Sequence, residues 1–209
     1  LFDSNNANRP GVSGQVKLDS YKDAGLLVSE ALVNELDSND ERDVPAPARE
    51  AVAALARILA IDPPSVAQLT QTHVPAFVAL AQRLRSVFTD LRNDDVDAAA
   101  ATLNEMLAAH PAHPHLAKER GTWRLHHHPH AAPLVPMWTA ICAAGLAEMI
   151  GDGAAQRLGT CERADCGRVY VDVSKNASRR FCSLTCQNRV KVATFRERTS
   201  KRRAARRSR

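Results

Sequence analysis

The sequence predicts a mostly α-helical chain with a small β element, closed at its C-terminal end by a small module built on four cysteines. Three observations carry this. Apolar residues recur at helical spacing along the first two thirds of the chain. Four of the five cysteines, Cys161, Cys166, Cys182 and Cys186, fall within 26 residues. The charge is split: residues 1–156 carry 12 Lys+Arg against 19 Asp+Glu, and residues 157–209 carry 16 against 4. A chain that is 44% apolar is not wholly disordered, and with only 4% aromatics its core must be built from Leu, Val, Ile and Ala.

Taken in order, residues 1–19 read as a loose entry segment. Tyr21–Leu36 carries a helical stripe of Leu26, Leu27, Leu32, Val33 and Leu36. Ser38–Pro47 is polar and reads as a loop. Ala48–Ile61 is a second helix, with Val52, Leu55, Ile58 and Leu59 on one face, stopped by Pro63-Pro64. Ser65–Leu69 forms one short helix. Val74–Leu91 gives the strongest helical pattern, and Val96–Ala109 follows it, with Asp94-Asp95 in the turn between. His110–His115 is broken by prolines. Gly121–His128 reads as a strand pairing with His115–Lys118. Leu134–Ile150 is a helix, stopped at Gly151-Asp152-Gly153. The expected divisions are a helical domain over 20–153, a finger over 157–199 and a basic tail over 200–209.

Leu1–Gln15 has neither the basic start nor the apolar run of a secretory leader. Ala131–Ile150 is apolar but holds Pro133, Pro136 and Glu148, so it reads as a buried helix and not a membrane span. The expectation is a cytoplasmic protein with no membrane partner. In a reducing compartment clustered cysteines are metal ligands rather than disulfides.

The spacing Cys161-x4-Cys166, fifteen residues, Cys182-x3-Cys186 supplies two short ligand pairs joined by a loop. That is how a tetrahedral zinc site is assembled from one chain. Four cysteine ligands leave no position for water or substrate, so the expected zinc is structural and contributes folding energy to a module too small to hold a core. Arg168–Asp172 alternates as a strand. Ser174–Ser178 is a polar turn. Cys182–Cys186 opens a helix running through Arg198. The arrangement resembles a treble clef: a knuckle, a hairpin, and the second cysteine pair on a first helical turn. Cys142 lies apart and reads as a small buried hydrophobe.

From Cys161 to Arg189 the residues resemble the CGNR zinc finger, which is named for the four residues corresponding to Cys186–Arg189. The cysteine spacing, the Asp172-x-Ser174-x-Asn176 stretch, Arg179-Arg180 before the third cysteine and Asn188-Arg189 after the fourth all match. Gln187 stands where the motif has glycine. In bacterial proteins this finger typically follows an ABATE domain, described as a stress-induced transcription regulator. The helices at Leu26–Leu36 and Leu80–Leu91, the strand at Trp123–Leu125 and the helix before the finger are similar to such a domain. The resemblance implies a zinc-binding transcription regulator.

Arg179, Arg180, Arg189, Lys191, Arg196 and Arg198 are the candidate nucleic-acid contacts, and Lys201–Arg203, Arg206, Arg207 and Arg209 extend the basic run. On a helical wheel Arg189, Arg196 and Arg203 share one side. Leu184, Val192 and Phe195 share another, which is expected to pack back onto the hairpin. A cationic helix of this kind contacts phosphates and, in a major groove, reads guanine edges. Asp172, Ser174 and Asn176 are expected to form a turn through side-chain-to-backbone bonds. Asn188 reads equally as a structural hydrogen-bonder.

His113, His115, His126, His127, His128 and His130 form a His-rich stretch that reads as a loop or hairpin edge, with a metal or pH sensor as the lesser reading. No nucleophile elbow, phosphate-binding glycine loop or dinucleotide fingerprint is present, so no enzyme is expected. The leading reading is a double-stranded-DNA-binding transcription regulator whose acidic helical domain senses a small effector, dimerises, or contacts the transcription machinery. RNA or ribosome association through the same finger, and a protein-binding zinc module, are the alternatives.

Overall fold

The computed structural model describes residues 21–37, 48–111, 114–119, 121–126 and 132–207. The entry segment 1–19, the loop Ser38–Pro47 and His113, His127, His128 and His130 lie outside them.

Helices α1 (Tyr21–Leu36), α4 (Val74–Arg92), α5 (Val96–Ala109) and α6 (Leu134–Gly151) pack as a bundle in which α1 touches α4 and α6, and α5 touches α4 and α6. The apolar stripes explain the packing. Leu26, Leu32 and Val33 of α1 meet Phe77, Leu84, Val87 and Phe88 of α4 and Leu103 and Met106 of α5 in one buried core. Helix α6 is apolar on every side because it is enclosed: Trp138, Ile141, Cys142, Ala143 and Leu146 are all within the core. It is long and apolar enough to cross a membrane, yet it is the core helix of the bundle. Its approach to α1 requires Gly25, where a Cβ would sit 2.4 Å from the Ile141 carbonyl oxygen.

Helix α2 (Ala48–Ile58) ends in a 3₁₀ turn, Leu59–Ile61, and packs on α1 and α4. The prolines do not simply stop it. They occupy the first turn of α3 (Pro63–Gln68), where proline is well suited, behind an Asp62 N-cap that accepts from the Ser65 amide. Ser65 in turn accepts the indole N–H of buried Trp138 at 2.9 Å. Asp95 N-caps α5 through the Ala98 amide at 2.9 Å, which is the local role of the paired acids.

Two antiparallel hairpins complete the described fold. Strands β1 (His115–Glu119) and β2 (Thr122–His126) form the hairpin expected between these segments, in the register His115 to His126 and Lys118 to Trp123, and Leu116 and Trp123 are exposed. Strands β3 (Leu158–Thr160) and β4 (Val169–Val171) belong to the cysteine segment and are buried instead: Leu158, Val169 and Val171 join the core of the bundle, with β3 against α4 and β4 against α1. Helix α7 (Leu184–Arg207) continues beyond Arg198, so the basic run is helical to Arg207.

The structure corrects one packing expectation. Leu184, Val192 and Phe195 do not pack onto the hairpin; they are 76%, 49% and 71% exposed. The apolar residues of the hairpin are already covered by α1 and α4, so α7 finds no apolar surface there to meet.

Candidate metal centre and nucleic-acid interface

The knuckle of the finger is a tight turn in which the Cys166 amide donates to the Arg163 carbonyl at 2.9 Å and the Cys161 amide to the Arg168 carbonyl at 2.8 Å. Ser183 caps α7, its hydroxyl accepting from the Cys186 amide at 3.2 Å, so Cys186 sits in the first turn of the helix. These two local structures bring Cys161, Cys166, Cys182 and Cys186 together with all four sulfurs within 4.8 Å of one another. The Sγ–Sγ distances are 3.7 Å for Cys166–Cys182, 3.6 Å for Cys182–Cys186 and 3.8 Å for Cys186–Cys166. A tetrahedron of sulfurs about 2.3 Å from a central zinc has edges of about 3.8 Å, so the donor set fits this ion in both chemistry and spacing. When bound, zinc supplies a closed four-sulfur centre with a net charge of about −2.

The chain's own residues answer that charge. The Arg163 side chain is largely covered, and its Nε is buried without a hydrogen-bond partner. Its hydrogen bond to Cys166 and the nearby charge of Cys186 push the guanidinium pKa higher still. Cys142 stands in contrast: wholly buried in α6, it has its thiol pushed up to about 12 by burial and is inert.

Asp172 builds the turn that leads to the third cysteine. Its carboxylate accepts from the Ser174 amide at 2.8 Å and the Arg179 amide at 2.6 Å. Burial alone would raise its pKa; these bonds and the charge of Arg157 outweigh it and hold the carboxyl below its ordinary value. Buried Arg157 donates to the carbonyls of Asp172 and Ser174 at 3.1 and 2.6 Å.

The candidate cations separate into two kinds. Arg179 is tied into the finger: it donates to the carbonyls of Phe181 (3.0 Å), Val171 (3.0 Å) and Cys182, lies 5.1 Å over the Tyr170 ring, and approaches Glu30 at 3.8 Å. Its guanidinium holds the finger together, and about a third of its side chain stays exposed. Arg180 is exposed and grips Glu162 through both nitrogens, an exposed pair of little energetic weight that a ligand can displace. Arg189, Lys191, Arg196 and Arg198 project from α7 into solvent, and among the described residues none of them forms an ion pair.

Three residues outside the cysteine motif hold the finger in place. Asn34 and Glu30 lie one turn apart on α1 and serve the outer edge of β4. Asn34 accepts the Val169 amide at 2.7 Å and donates to its carbonyl at 3.0 Å, while Glu30 accepts the Val171 amide at 3.0 Å. Arg85 of α4 reaches the Gly167 carbonyl at 2.6 Å and Asp37 Oδ2 at 2.6 Å. A polar pair one helical turn apart on the apolar α1 stripe was the only available sequence signal for Glu30 and Asn34.

Comparison with known families decides the relationship. The profile of ABATE, described as "Putative stress-induced transcription regulator", matches residues 31–153, more than half of the chain. The chain belongs to the ABATE family. Within it, the CGNR zinc finger profile matches residues 157–199. No curated protein matches the sequence. The CGNR finger accounts for the four-cysteine cluster and fixes zinc as its cofactor.

Proposed function

We propose that this ABATE-family protein is a cytoplasmic transcription regulator that binds double-stranded DNA through its CGNR finger. In this reading Cys161, Cys166, Cys182 and Cys186 hold one structural zinc, and the helical domain serves sensing or dimerisation. The observation that supports it is α7 itself: a 24-residue helix, anchored at its first turn by the metal cluster, that carries Arg189 and Arg196 on one exposed side. A charged helix held at one end and solvated along its length is suited to phosphate contacts, whereas the acidic remainder of the chain would be repelled by a polyanion. Arg180, Arg189, Lys191, Arg196 and Arg198 are the contact residues of this proposal, with Arg179 positioning the finger.

The test is binding of the full chain to labelled duplex DNA over a range of salt. Each phosphate contact contributes about −0.9 to the log–log slope, so a slope of roughly −3 to −5 is expected. Structured RNA added as competitor should displace the duplex poorly. A flat salt dependence would remove nucleic acid from the reading and leave a protein-binding finger.

A further inference from the structure

Helix α7 has two faces, and the exposed apolar residues on one of them, Leu184 and Phe195, are not explained by duplex phosphates. Arg189 and Arg196 lie on one side. On the opposite side, Leu184, Lys191, Phe195 and Arg198 line a groove of about 1120 Å³ whose far wall is Arg180 and Phe181. We propose that this groove receives an unpaired stretch of one nucleic-acid strand, with a base stacked on Phe195 and its phosphates on Arg180, Lys191 and Arg198. The inference rests on the nucleic-acid reading above and adds to it that the preferred target contains unpaired nucleotides beside duplex.

Three observations carry it. The first is charge: Lys191 and Arg198 are exposed on the groove without an ion pair among the described residues, Arg180 is exposed in a displaceable surface pair with Glu162, and the one carboxylate on the lining, Asp172, is engaged by the amides of Ser174 and Arg179. The second is size. The groove lies slightly above the range of small-ligand sites, about 300–1,000 Å³, a size that suits a few nucleotides. The third is the apolar component. Phe195 is 71% and Leu184 76% exposed, so they stand out from the helix as apolar surfaces along the groove. An exposed aromatic ring flanked by cations is a stacking platform, and stacking is tolerant of base identity.

The experiment compares three fluorescent DNAs: a perfect duplex, the same duplex with a three-nucleotide bulge, and the bulged duplex with 2-aminopurine in the bulge. The zinc-loaded full chain should prefer bulged over perfect duplex by about tenfold and should quench the 2-aminopurine. Phe195→Ala should abolish both the preference and the quenching while leaving zinc content and perfect-duplex affinity unchanged. Phe195→Tyr should restore them. Arg189→Ala with Arg196→Ala should weaken both DNAs in parallel.

Equal affinity for bulged and perfect duplex, or a preference that survives Phe195→Ala, would overturn the groove assignment while the duplex reading stands. Loss of all DNA binding in the unmodified chain would overturn both. A Phe195→Ala chain that changes only in sedimentation, with its DNA preference intact, would assign the groove to a second copy of the protein instead.

Discussion

The finger faces the helical bundle on one side and solvent on the other, and the arginines in and around it sort with those two sides. Toward the bundle, Arg85, Arg157 and Arg179 point their guanidinium groups at backbone carbonyls of the finger. Toward solvent, Arg189 and Arg196 are exposed, with no ion pair among the described residues. The residue type, and the charge each guanidinium carries, are the same on both sides. What differs is whether nearby backbone carbonyls lack another donor. On the bundle side they do, because irregular chain at Gly167, before β4, and between β4 and α7 leaves carbonyls without strand or helix partners, and a buried unpaired carbonyl is costly. On α7 the helix satisfies its own backbone, so the side chains are left for an external ligand. Counting positive charges therefore overstates the binding surface, and a hydrogen-bond tally of each guanidinium corrects it.

The largest effect available to test this contrast is removal of the metal. Structural zinc in small fingers contributes on the order of 10–16 kcal/mol of apparent free energy. Because Leu158, Val169 and Val171 are part of the bundle core, loss of zinc should be felt beyond the finger. Chelation, or Cys182→Ser with Cys186→Ser, should lower the melting temperature of the whole chain and alter the fluorescence of buried Trp138. An unchanged Trp138 signal and an unchanged melt would show that the bundle and the finger are energetically separate.

Next in size is the joint itself. Asn34→Ala leaves the Val169 amide and carbonyl buried without partners, and each such group costs about 1–3 kcal/mol. Urea unfolding of the zinc-loaded chain should show a loss of roughly 2–4 kcal/mol. Asn34→Asp should recover little, since it keeps the acceptor but loses the donor. A loss under about 0.5 kcal/mol, the range of ordinary surface changes, would mean that the Asn34 bonds do not hold the finger.

Much of this molecule was legible in its sequence, and the reasons differ by region. The bundle helices were readable because a half-buried helix writes its packing into a 3.6-residue pattern, as Phe77, Leu80, Leu84, Val87 and Phe88 do in α4. The metal centre was readable because coordination chemistry constrains both residue type and spacing. The joint was not. Asn34 meets Val169 across 135 residues of chain, Glu30 meets Val171 across 141, and Arg85 meets Gly167 across 82. In each case the partner is a backbone group, which every residue possesses, so the partner's identity leaves no mark in the sequence. The exposed face of α7 was misread for a related reason. An apolar stripe signals that something should cover it, but the hairpin expected to do so was already buried against α1 and α4.

The two kinds of arginine give a third, finer test. Arg189→Ala should lower the magnitude of the salt slope by about 0.9 and leave the urea midpoint unchanged. Arg179→Ala should do the reverse at first: lower stability and hasten zinc loss to a chelator, because the carbonyls of Phe181 and Cys182 beside the cluster lose their donor. Its DNA slope, measured with zinc in excess, should stay the same. If Arg179→Ala changes the slope as much as Arg189→Ala does, its guanidinium reaches phosphate after all and the sorting of arginines fails.

The smallest expected effect concerns the two carboxylates that flank Arg179, which are shifted in opposite directions. Asp172 lies below its ordinary value and favours the fold when ionised, so its contribution is present above the unfolded value near 3.8 and is lost as pH falls through its depressed pKa. Glu30 is the opposite. Burial raises its pKa above the ordinary 4.5, only partly offset by the Val171 amide and the charges of Arg179 and Arg168. Its folded form holds the proton more tightly than the unfolded chain does. The stability it contributes is thus complete below 4.5 and lost as pH rises through the raised value. Glu30→Gln keeps an oxygen for the Val171 amide and removes the charge, so at pH 7 it should be neutral to stabilising, within about 0.5 kcal/mol. Its advantage over the unmodified chain should shrink as pH is lowered toward the raised Glu30 value. A Glu30→Gln chain clearly less stable at pH 7 would mean that the ion pair with Arg179, at 3.8 Å, outweighs the cost of burying the carboxylate.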